Sequence, residues 1–196
     1  MSNNMETGSS MIEESHRAST VPQQTPIREL LSNLDETTWI GTPLTYHGRD
    51  EYEAFLTNDV TIRKNSFVYI HGESGQHHLA YIKNMYDQNG EKLMKIMWFW
   101  KQDELTDQKI LQQIEVEHNE IFIERAMDVV SVCCVECTVT ILTSEDWEKL
   151  PIRNSEAVSD AYICCRELKG NKLLNYDISE LQGYYLQDVF KYLDDQ

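Results

Sequence analysis

Positive charge is what this chain has least of. Lys and Arg number 17 against 33 Asp and Glu, a formal net charge of −16 over 196 residues. A surface of that kind repels phosphate backbones, which argues against broad electrostatic binding to DNA or RNA and favours basic partners. No apolar run approaches the ~20 residues of a membrane span, and the polar start Met1-Ser2-Asn3-Asn4 lacks the regions of a signal peptide. A soluble intracellular protein without membrane contact is expected. With only four prolines and 41% hydrophobic residues, the chain is long enough for one domain with a real core plus tails. Gly-rich elbows and oxyanion loops are also missing, which argues against a thiol hydrolase built on Cys133, Cys134 or Cys137 with His118. No enzyme activity and no cofactor are expected.

The five cysteines fit a reducing compartment, where free thiols behave as small buried hydrophobes. Cys134-Val135-Glu136-Cys137 has the form of a C-x-x-C, with Cys164-Cys165 further on. No Gly or turn residue separates those ligands, and the β-branched run from Val129 to Leu142 reads as strand, on which positions 134 and 137 face opposite sides. His77 and His78 are adjacent, and adjacent strand residues likewise point apart. No metal site is expected from either set.

Residues 1 to about 24 hold hardly any large apolar groups and read as a disordered tail. Thr25-Pro26 then resembles an N-cap with proline at the first helical position, and Ile27, Leu30, Leu31 and Leu34 fall at helical spacing, so a short helix is predicted. Aromatics at 46, 52 and 55 without a clean period leave Tyr46 to Phe55 as an irregular stretch or a short strand. Val60 to Ile70 reads as strand, turn, strand, and Leu79 to Tyr86 as the next strand. Asp103 to Glu117 reads as a long exposed connection. Ile121-Phe122-Ile123 resumes the sheet, Val129 to Leu142 adds one or two strands, and a hydroxyl cap in Thr143-Ser144 opens a helix that Pro151 ends. Ala161 to Leu168 is another strand. Asn175 to Leu193 reads as a helical turn and a short helix.

At the centre lies Lys92 to Gln102, which follows Asp87-Gln88-Asn89-Gly90-Glu91. Asn-Gly takes the positive φ angles of a type I′ turn, so Tyr81 to Tyr86 and Leu93 to Trp100 are predicted to pair antiparallel. Trp98 and Trp100 then share one face, with Met94 and Ile96 in the same stripe. The stripe is either core or, with the acidic pair Asp103 and Glu104 just beyond, a site for a methylated cation. The end of the strand decides between the two.

Phe67-Val68-Tyr69-Ile70, Leu79-Ala80-Tyr81-Ile82-Lys83-Asn84-Met85-Tyr86, Asn89-Gly90-Glu91, Met97-Trp98-Phe99-Trp100 and Asn119-Glu120-Ile121-Phe122, in that order, resemble a bromo-adjacent homology (BAH) domain. The tail from Tyr176 to Tyr185 resembles the C-terminal extension of plant BAH proteins, especially those with Agenet modules, although no Agenet segment is visible. The resemblance implies a mostly β fold, a distorted β-barrel with short peripheral helices. It also implies a nuclear location and a chromatin reader or scaffold without catalysis. The domain boundaries it implies are a tail over 1–37, a BAH domain over 38–168 and a partly helical extension over 169–196.

Methyl-lysine readers of this family hold the ammonium in an aromatic cage. The Trp and Tyr of the family's Trp-Phe-Tyr motif correspond to Trp98 and Trp100, and a third cage aromatic falls on His78, a poorer wall that turns repulsive when protonated. Where readers place a Ser and a His that contact the peptide, this chain has Glu124 and Ala126. Tyr69 and Tyr81 are the neighbouring candidates for a replacement wall. The resemblance thus implies a histone tail, or another basic peptide, bound at Trp98, Trp100 and His78 with Asp103, Glu104, Asn119, Glu120 and Glu124 along its path. The alternative is a BAH scaffold that joins proteins in a chromatin complex without recognising methyl-lysine.

Overall fold

A computed structural model describes residues 37–72, 75–105, 110, 115, 119–150 and 161–194, with side chains to 191. The predicted disordered tail and its helix fall on residues outside this set, as does most of the connection after Glu104. The chain is mostly β. The strands are β1 (Thr38–Ile40), β2 (Leu44–Tyr46), β3 (Arg49–Glu51), β4 (Ala54–Thr57), β5 (Val60–Arg63), β6 (Phe67–His71), β7 (His77–Gln88), β8 (Glu91–Lys101), β9 (Glu120–Ser131), β10 (Val135–Thr138), β11 (Ile141–Leu142), β12 (Tyr162–Lys169) and β13 (Lys172–Asn175). Among the described residues, short helices α1 (Ser144–Lys149) and α2 (Asp188–Asp194) lie at the periphery.

Local chemistry accounts for the turns. Asn89 and Gly90 sit at φ 57° and 84°, the Asp87 side chain accepts from Gly90 N at 2.9 Å, and Gln88 faces Glu91, so a two-residue type I′ turn joins β7 to β8. His47-Gly48 and Asn58-Asp59 form two more such turns at positive φ, so Tyr46 to Phe55 resolves into parts of three short strands. The hydroxyl cap of α1 is Thr143, its Oγ1 accepting from Asp146 N at 3.0 Å.

The main sheet runs β10-β6-β7-β8-β9-β12-β11, with β13 on β12 and β3 on β7; its path stays open at β10 and β11 among the described residues. β4 pairs with both β1 and β5 in a separate small sheet. Most of the main sheet is antiparallel, but β12 runs parallel to both β9 and β11.

Both faces of the central strands are covered, which is why β7 and β8 read as nearly continuous apolar runs. Leu79, Tyr81, Met97 and Phe99 enter one core, closed by Ile141, Leu142, Leu150, Ile178, Tyr184 and Val189. Ala80, Ile82, Met94 and Ile96 enter the other, closed by Phe55 and Ile62 of the small sheet together with Val132 and Val135. Each large side chain so buried contributes about 1.5–3 kcal/mol. The segment after residue 168 is therefore part of the packing of the first core: Tyr184 is fully buried, and the Tyr81 hydroxyl lies 2.9 Å from the Gln182 carbonyl oxygen.

Two strand expectations change. β9 is one strand of 12 residues rather than two separate pieces. Val132–Cys134, inside the run expected to be strand, is a 3-10 turn in which Ser131 Oγ accepts from Cys133 N at 3.2 Å. A hydroxyl that can bond the backbone two residues on outweighs β propensity there.

Candidate ligand-binding cleft at the end of strand β8

The stripe Met94, Ile96, Trp98, Trp100 passes from core to surface along β8. Met94 and Ile96 are fully buried, whereas Trp98 and Trp100 are only half-buried. Together with His78 and Phe99 the two indoles line an open cleft of about 160 Å³. His78 reaches it from β7, its ring 6.1 Å from that of Trp98 at 77°, an edge-to-face contact. The three side chains carried over as a cage are thus brought together.

Carboxylates hold these walls in place. Trp100 Nε1 donates to Glu124 Oε2 at 2.8 Å, and Trp98 Nε1 donates to Asp128 Oδ2 at 3.1 Å. Glu104 Oε1 lies 3.3 Å from His78 Nδ1, while its other oxygen accepts from Lys101 N at 2.7 Å. Three acidic groups therefore ring the cleft and hold its potential negative, as a cationic ligand requires. A bulge explains how β9 supplies two of them. Trp98 faces Glu124 and Met97 faces Met127, so Arg125 and Ala126 are extra residues. That insertion re-aims the strand and brings Asp128 opposite Ile96, within reach of Trp98. Asp128 is the site residue that sequence reasoning misses.

Neither tyrosine completes the cage. Tyr81 is fully buried in the opposite core, its hydroxyl 3.0 Å from Asn65 Oδ1. Tyr69 also lies on the opposite face, paired hydroxyl to hydroxyl with Tyr162 at 2.8 Å. The chain's own Lys101 Nζ sits 6.0 Å from the Tyr69 ring and 5.8 Å from the Tyr162 ring. A cation is already in place there.

The remaining acidic and amide candidates separate from the cleft. Asp103, Asn119 and Glu120 line a second hollow with Lys101, Gln102, Ile121 and Tyr162. Asn119 Nδ2 donates to the Ala161 carbonyl at 3.4 Å. Glu120 is only 4% exposed and forms a forked pair with Arg166, one arm of which is Nε donating to Oε1 at 2.6 Å. Its charge is consumed internally, because a buried carboxylate is tolerated only when paired. Of the expected peptide-attracting residues, Glu104 and Glu124 alone stand at the indoles.

No family model and no curated protein matches the sequence. Among solved structures, the chain is similar to the yeast Rsc2 BAH domain, with 8% identity and a TM-score of 0.48. That match covers 68% of this chain and 56% of the other. The plant, Agenet-associated subtype rests on sequence resemblance only.

The cysteines are free thiols and form no cluster with other ligating groups among the described residues. Burial pushes Cys134 up to about 11, Cys164 to about 12 and Cys165 to about 11, the last also hydrogen-bonded to Glu120 at 3.2 Å. Such thiols are poor nucleophiles at neutral pH. His118, the base of the hydrolase reading, lies outside the described residues.

Proposed function

We propose that this chain is a nuclear, chromatin-associated reader that binds a methylated lysine of a histone tail between Trp98, Trp100 and His78. One observation carries the proposal: an otherwise buried stripe ends in two half-exposed indoles that face a cleft ringed by Glu104, Glu124 and Asp128. Methylation spreads the ammonium charge and weakens its hydration, so aromatic faces compete with water for it better than for unmodified lysine. Acidic neighbours speed the encounter with a basic tail. The second hollow, with Asp103 and Asn119, receives residues flanking the lysine.

Calorimetric titration of trimethylated and unmodified histone-tail peptides tests the proposal. Trimethylated peptide binds wild type more tightly, and Trp98→Ala and Trp100→Ala each remove the preference. A second reading, a scaffold for chromatin-complex proteins, draws on Tyr185 and Leu186, which are 64% and 79% exposed beside the C-terminal helix. Indifference of the wild type to methylation, with both truncations behaving like it, would leave the scaffold in place.

A further inference from the structure

His77 and His78 diverge, as adjacent strand residues do, but the structure gives His77 another partner. His71 at the end of β6 is its direct cross-strand neighbour, and the two rings lie 5.7 Å apart. Glu136 comes from β10, the next strand along. The β10–β6 register shifts between Val135, opposite Ile70, and Cys137, opposite Tyr69, so Glu136 is the bulged residue. Its Oε2 lies 2.6 Å from His77 Nδ1. One ligand atom from each of His71, His77 and Glu136 lies within 4.8 Å of the other two, and among the described residues no other group of three does this.

We propose that His71, His77 and Glu136 bind one divalent transition-metal ion of the zinc class. A tetrahedral zinc with bonds of about 2.0–2.2 Å needs ligand atoms roughly 3.3 Å apart. The His77–Glu136 separation of 2.6 Å is shorter than that value and every other separation lies within 4.8 Å, so rotation of exposed side chains closes the set while three paired strands keep the backbone fixed. Two borderline imidazole nitrogens with one carboxylate suit zinc, cobalt or nickel; calcium and magnesium require shells built mainly of oxygen. The His77 and Glu136 side chains are each 47% exposed, so water fills the remaining position. A proton carried on Nδ1 would leave to solvent as the ion takes its place. Tyr69, edge-on to His77 at 6.2 Å, restricts the ring on its inner side. This site faces away from the indole cleft, because His77 and His78 alternate across the sheet, and it does not depend on the reader proposal.

The test uses the full chain, reduced and stripped of metal, titrated with zinc chloride by calorimetry and with cobalt chloride by visible absorption. One equivalent binds. His71→Gln, His77→Gln and Glu136→Gln each weaken binding about tenfold or more, while the metal-free circular dichroism and melting of all three match wild type. The cobalt spectrum lacks a thiolate charge-transfer band. Failure to bind, equal binding by all three variants, or a thiolate band that disappears only on replacing cysteines would overturn the assignment.

Discussion

Trp100 and Glu124 sit on neighbouring strands, and the indole N–H donates to the carboxylate at 2.8 Å. The bond fixes the ring plane and places a negative charge at the ring's edge, so orientation and charge come from one side chain. Glu124→Gln keeps an acceptor and removes the charge. Affinity for a trimethylated peptide is expected to fall about three- to tenfold, and less steeply in high salt, where screening has already weakened the charge. Titrations at two ionic strengths check this. Equal loss at both would assign Glu124 a purely orienting role.

Gly183 binds the C-terminal segment to the first core. It sits at φ 82°, and a Cβ there would lie 2.3 Å from the Asn65 carbonyl oxygen. Gly183→Ala is therefore both strained and without space, and is expected to cost about 2 kcal/mol or more. For a chain of this size that lowers the melting temperature by roughly 4–8 °C. Thermal denaturation followed by circular dichroism measures it.

Stability should be lost at high pH through two buried phenols. Burial pushes Tyr81 up to about 12 and Tyr184 higher still; the Tyr184 hydroxyl also donates to Asp146 Oδ2 at 2.8 Å. A pKa raised in the fold stabilises below the unfolded value, near 10, and that stabilisation disappears as pH climbs toward the folded one. Spectrophotometric titration should show a late phenol ionisation that coincides with unfolding. Asp146 works in the other direction. Its burial is outweighed by hydrogen bonds from Tyr184, Lys149 and Thr143, which hold the carboxyl below its usual 3.8, so its contribution is present above about pH 4 and is lost on acidification.

The thiols provide a check on the thiol-hydrolase reading. Cys134, Cys164 and Cys165, all pushed up by burial, should resist alkylation at pH 7.5 in the native protein and react at once in denaturant. Mass spectrometry of the modified peptides reads each site. Rapid native modification of any of the three would contradict its raised pKa.

Features encoded by neighbours in sequence were legible, and those that depend on register were not. Asn89-Gly90 and Thr143 announce their turn and cap because each acts within four residues. Trp98 and Trp100 were placed on one face because a strand has period two. His47-Gly48 and Asn58-Asp59 carry the same turn chemistry, yet the strands beside them, at three or four residues, are too short to show alternation. The role of Asp128 hangs on a two-residue bulge that no local pattern marks. The resemblance sets Glu120 along the peptide's path, whereas its partner Arg166 lies 46 residues away. Lys101 over Tyr69 and Tyr162 is likewise a product of three strands and invisible in any one of them.

The central claim is that two indoles recognise a methylated cation. It is tested most directly by titrating one histone-tail peptide in three forms: lysine unmodified, trimethylated, and replaced by a neutral isostere with a tert-butyl head. Two aromatic walls without a strong third contribute about 1–2 kcal/mol, so the trimethylated form should bind roughly 5- to 30-fold tighter than the unmodified one. The isostere, equal in shape but uncharged, should lose most of that gain. His78→Tyr, which restores a third aromatic face, should widen the gap between the trimethylated form and both others. Equal affinity for all three forms in wild type and in His78→Tyr would contradict the account.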